Sequence, residues 1–142
     1  MADGRAPPLA VLIHSEVEAR IALALAREQG RRVELCVPAG LAGPAFVRAL
    51  EEVLGQPLVA LCHDEAGLVM AGLRTGLGRL VFSGRNDVRL RLQEMAAALG
   101  AEVLARPPGP LVVPGSGGTW IAPATCVSSG PTSTSSTEGP AS

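Results

Sequence analysis

The chain has 142 residues, 47% hydrophobic and 18% charged, which is enough apolar mass for one cored domain and too much for bulk disorder. Its 12 basic and 13 acidic residues leave a net charge of -1, which argues against a dedicated nucleic-acid binder or a basic membrane-surface protein. Every basic residue is arginine, so lysine chemistry, whether a Schiff base or a phosphate-loop lysine, is excluded.

The chain has no tyrosine, and Phe46, Phe82 and Trp120 are its only aromatics, too few for a base-stacking platform. The cysteines, Cys36, Cys62 and Cys126, are sparse and lack a CxxC pairing, so neither a disulfide framework nor a zinc site is expected. The polar, proline-containing start Met1–Pro8 does not read as an export signal, and no apolar run reaches the roughly 18 residues of a membrane span. These features together read as a cytoplasmic protein with no membrane partner.

The first strand is the continuous apolar run Leu9–Ile13, as in a parallel sheet buried on both faces. Ser15 and Glu18 form a capping box that starts a helix, Val17, Ile21 and Leu25 give it an apolar stripe, and Gly30 ends it. Val33–Val37 is a second strand. Pro44 opens a second helix carrying Val47, Leu50 and Leu54, closed by Gly55. Leu58–Cys62 is a third strand, and Asp64 is the expected N-cap of a helix from Glu65 to about Thr75, in which Gly67 and Gly72 permit close packing on the sheet. Arg79–Phe82 is a fourth strand, and Asn86 or Asp87 caps a helix with Val88, Leu92, Met95 and Leu99 on one face. Ala101–Ala105 is a fifth strand.

The predicted fold class is therefore α/β: a single small domain of βα repeats over residues 9–106, with a parallel sheet of about five strands. It is either a flavodoxin-like or Rossmann-like three-layer arrangement or a partial β/α barrel. Residues 1–8 are expected to be disordered. Residues 107–142 form a Pro/Gly/Ser/Thr-rich tail with a weak hairpin over 111–122 and disorder from about 128. Gly72–Gly76 with Leu80–Gly84 resembles the later strand units of phosphate-binding β/α barrels over those residues alone. A full barrel needs about 250 residues, and the chain is assigned to no family on this likeness.

Ligands of parallel α/β sheets bind beyond the carboxyl ends of the strands, where helix amino ends also point. Those ends carry both histidines and two of the three aspartates: His14-Ser15, His63-Asp64-Glu65 and Ser83 to Asp87. Helix capping alone accounts for Ser15, Asp64 and Asn86. Ser83, Gly84, Arg85 and Asn86 make the better small-ligand candidate, because glycine admits an anion to the backbone and arginine can grip it with two bonds. His14 and Ser15 extend that candidate binding set.

The leading functional expectation is a non-catalytic domain that binds a small anionic ligand or a protein partner at this rim. The first alternative is a lyase-like or isomerase-like enzyme with His63 as general base and Asp64 orienting it. The second is a structural module that forms homo-oligomers without a ligand. The sequence names no cofactor, and adjacency in sequence argues against His63 and Asp64 converging on one metal ion.

Overall fold

The computed structural model describes residues 8–123. The disorder expected of residues 1–7 and of the tail beyond 128 lies outside the described residues. Within them the chain is an α/β domain with a seven-stranded, mostly parallel sheet. Strands β1 (Leu9–Leu12), β2 (Val33–Pro38), β3 (Val59–Leu61), β4 (Arg79–Val81) and β5 (Glu102–Leu104) alternate with helices α1 (Glu16–Gln29), α3 (Pro44–Leu54), α4 (Ala66–Thr75) and α5 (Asn86–Ala98). A single helical turn, α2 (Ala39–Ala42), precedes α3.

The strand order is β5-β4-β3-β2-β1-β6-β7, where β6 is Leu111–Pro114 and β7 is Trp120–Ile121. The first five strands thus advance one place at a time, the winding of the partial-barrel arrangement. β6 then returns to the far side of β1 and pairs with it in parallel, Ala10 opposite Leu111. β7 folds back antiparallel on β6, so the hairpin belongs to the sheet. The sheet therefore continues past Arg106, where composition alone ends the domain.

Progressive winding places the helices side by side on one face, α1 next to α3, α3 next to α4 and α4 next to α5. Their buried residues join Leu9, Val11, Ile13, Leu35, Val37, Leu58, Ala60, Leu80, Phe82 and Val103 in one core. The alternate strand residues, Ala10, Leu12, Cys36, Val59, Leu61 and Val81, form a second cluster of strand residues alone. The period-2 alternation of strands thus separates two apolar faces, only one of them under helices.

The link from β5 to β6 shows how the helix-free face is buried. By register, Leu104 is level with residue 14 and Leu111 with residue 10. In a flat sheet, five strand intervals of about 4.8 Å and a rise of about 13 Å would separate them by ~27 Å. Seven chain steps reach at most about 25 Å when fully extended, and this link is bent and carries three prolines. The sheet must curl toward its helix-free face, which brings its two sides within reach of the link. Pro110 accepts the Ala10 N–H, and Gly109 lies so close to the Pro8 carbonyl that a Cβ would come within 2.5 Å of it. At the lower edge of this concave face Arg79 bonds Glu34 at 2.6 Å and approaches Glu102 at 3.6 Å.

Several local expectations change. In α1 the buried residues are Ala19, Ala22 and Ala26, whereas Val17 is 68% and Ile21 53% exposed. The short link Ile13–Ser15, with Ile13 fully buried, sets the rotation of α1, and the small alanines let it lie close to the sheet. In α5 the buried residues are Leu92 and Ala96, while Met95 and Leu99 are exposed. The N-cap of α4 is Glu65 rather than Asp64, and that of α5 is Arg85 rather than Asn86 or Asp87; neither makes a side-chain capping bond. The capping box at α1 is present, with the Glu18 N–H donating to Ser15 Oγ. Gly72 is a close-packing glycine, with Leu80 Cδ2 2.5 Å from where its Cβ would stand, but Gly67 faces open space.

Candidate functional site

Because β1 to β5 are parallel, their carboxyl ends share one rim, and His14, Ser15, His63, Asp64, Ser83, Gly84, Arg85 and Asn86 all lie along it. Most of their polar groups are engaged with near neighbours. The His14 N–H donates to Glu18 Oε1 at 2.7 Å, and His14 Nδ1 is 3.2 Å from the same oxygen. Ser15 caps α1. Arg85 grips Asp87 with two bonds, at 3.1 and 2.7 Å, and Arg89 donates to Asn86 Oδ1. The arginine placed for an anion is thus already held by a carboxylate in the first turn of its own helix.

Around β3 and β4 the rim is tied through the backbone. His63 is the one described non-glycine residue with positive φ, 53°, and its carbonyl accepts the Ser83 N–H at 2.7 Å. The left-handed turn carries the chain off β3 toward α4 and leaves His63 and Asp64 exposed. Asp64, Ser83, Gly84 and Arg85 line a shallow cavity of about 360 Å³ with Phe82 and Val88. Gly84 is there for packing: a Cβ would stand 2.4 Å from Phe82 Cζ. Among the described residues, no three His, Cys, Asp or Glu side chains come together as a metal site.

The cleft that sequence reasoning missed lies between the carboxyl ends of β1 and β6. These neighbours send the chain in opposite directions, β1 through α1 toward β2 and β6 toward β7, which is the topological condition for a binding crevice in an open α/β sheet. Leu12, Ile21, Val113 and Pro114 form its apolar walls, His14 and Glu18 its polar mouth, around about 330 Å³. Beyond His14, toward α3, a second hollow of about 300 Å³ is lined by Phe46, Ala49, Leu50 and Val53. His14 is the ridge between the two.

The β6–β7 hairpin is fastened to the other end of α1. Trp120 Nε1 donates to Gln29 Oε1 at 2.7 Å, and Gln29 Nε2 donates to the Gly118 carbonyl. Only His14 of this cleft was legible beforehand, since β6 sits in a Pro/Gly-rich stretch that hides its place in the sheet. No helix of the described residues is long and apolar enough to cross a membrane. Comparison with family models, curated proteins and solved structures returns no match.

Proposed function

We propose that this chain is a non-catalytic α/β domain that binds a protein partner at the carboxyl rim of its sheet, in the cleft between β1 and β6. The observation that carries the reading is the coincidence of the switch point with an apolar cleft and a polar mouth. Its volume of about 330 Å³, roughly twice that of a cavity that takes up benzene, suits a short segment of a partner of about dipeptide size, and the Glu18 carboxylate favours a donor or a cation beside it. A small anion is the lesser arm of the same reading. It would bind in the Ser83–Arg85 hollow and take the place of Asp87 on Arg85. The unpaired thiols Cys36 and Cys62 support work in a reducing, cytoplasmic setting.

Amide chemical shifts of the labelled full chain test both arms, using a blocked leucyl-lysine dipeptide and, separately, inorganic phosphate. The expected result is movement at Leu12, His14, Ile21 and Val113 with the dipeptide. Phosphate shifts confined to Ser83 to Asp87 would move the site to the anion hollow. Silence toward both probes at millimolar concentration would overturn the proposal.

A further inference from the structure

The two walls of the β1–β6 cleft are held in different ways. Leu12 sits inside the sheet, paired with Cys36 of β2. β6 pairs with β1 at Leu111 and Val112, and the cleft residues Val113 and Pro114 lie past that point. Their strand partners are Ile121 and Trp120 of β7. The position of the far wall is therefore the position of the hairpin.

The hairpin is closed on itself and tied to α1 at its tip. The Gly115 N–H donates to the Thr119 carbonyl at 2.8 Å, and Thr119 Oγ1 donates to the Ser116 carbonyl at 2.9 Å. Leu25 Cδ1 and Gln29 Nε2 lie 3.7 and 3.8 Å from where a Cβ on Gly118 would stand, so the tip backbone rests against α1. Among the described residues, the side-chain hydrogen bonds that leave the hairpin both end on Gln29. Its Oε1 accepts from Trp120 Nε1 at 2.7 Å, and its Nε2 donates to the Gly118 carbonyl. Trp120 stands directly opposite Pro114, so Gln29 reaches the cleft wall through a single strand pair.

We infer that Gln29 is a positioning residue for the cleft, a latch that holds the β6–β7 wall at the width a partner segment needs. The inference rests on the reading of the β1–β6 cleft as a protein-binding site. Gln29 lies about 16 Å along α1 from Glu18 at the cleft mouth, so it acts through the hairpin and not on the partner. An amide side chain fits the task because it offers an acceptor to the indole and a donor to the carbonyl at once. Gln29 is exposed, so water competes for both bonds and the latch opens at small cost. With the latch open the wall is hinged past Val112, the cleft is formed for part of the time, and apparent affinity falls by that fraction.

Gln29→Met keeps the length and helix propensity of the side chain and removes both bonds. In the labelled full chain it is expected to move the amide signals of Val113 and Gly115 and to leave those of Leu35 and Val59 in place. It should weaken binding of the blocked leucyl-lysine dipeptide by about five- to tenfold. Gln29→Glu, which keeps the acceptor for Trp120, should lose less. Trp120→Phe should also weaken binding, and the double variant with Gln29→Met should bind no worse than Gln29→Met alone, since both changes cut one path. Unmoved Val113 and Gly115 signals in Gln29→Met, a dipeptide affinity equal to that of the wild type, or additive losses in the double variant each overturns the inference. A wild-type chain that ignores the dipeptide, with Val113 and Gly115 still moving in Gln29→Met, would remove the binding-site reading and leave Gln29 as the anchor of the wall.

Discussion

Raising the pH should destabilise this protein through two thiols. Cys36 and Cys62 have no exposed surface. Burial, reinforced by Glu34 and only partly offset by Arg79, pushes the Cys36 thiol up to about 12. Burial, with Glu65 adding to it, pushes Cys62 up to about 11. In the unfolded chain both ionise near 9.0. Above that pH the unfolded chain has lost protons that the folded chain still holds, so stability falls as pH rises and stops falling only near the folded values. Each thiol contributes a slope approaching about 1.4 kcal/mol per pH unit, so at about pH 10 the pair has removed roughly 2.8 kcal/mol from a total of about 5–15 kcal/mol.

This chain suits the measurement because it has no lysine and no tyrosine, and arginine stays charged throughout the window. Urea unfolding under reducing conditions between neutral pH and about pH 10.5, in a Cys126→Ser background, gives the slope. Cys36→Ala and Cys62→Ala should each lose some stability at neutral pH yet remove about half of the alkaline decline, and the double variant should be nearly flat. An undiminished decline in the double variant would refute the reasoning.

Two further outcomes separate packing from backbone propensity and test a buried carboxylate. Gly67→Ala, in open space within α4, should stabilise by about 0.5–1 kcal/mol, whereas Gly72→Ala, one turn and a half further on, drives its Cβ into Leu80 and should cost about 1–3 kcal/mol. Thermal melts of the two variants, with opposite signs expected, check this. Glu51 is buried and accepts the Leu58 N–H at 2.9 Å while Arg48 holds its other oxygen at 3.2 Å. Glu51→Ala should therefore cost about 2–3 kcal/mol in chemical denaturation, and Glu51→Gln, which keeps an acceptor for Leu58, less than half of that.

The sequence by itself determined the α/β class, the order of the strands and helices up to β5, and the shared carboxyl rim. These follow from local signals. Continuous apolar runs mark buried parallel strands, Ser15 with Glu18 marks a helix start, and Gly30, Gly55 and Gly76 terminate helices at positive φ. What each helix turns toward the sheet is a different kind of fact. α1 carries two apolar rows, and the larger one, Val17, Ile21 and Leu25, is the obvious choice by hydrophobicity. The core took Ala19, Ala22 and Ala26 instead, because rotation is fixed by the short link from β1 and by how closely the backbone must approach the sheet. Met95 and Leu99 of α5 were displaced in the same way by Ala96.

Likewise, nothing within Leu111–Pro114 says that it returns beside β1. That pairing joins residues about a hundred positions apart, and it follows from the curl of the sheet and the reach of a short proline-rich link. The rim residues were legible because the ends of buried parallel strands are marked by local apolar runs, even though Glu65 and Arg85 rather than Asp64 and Asn86 stand at the N-caps. The cleft was not, because its walls come from β1, α1 and β6, which only the closed tertiary structure brings together.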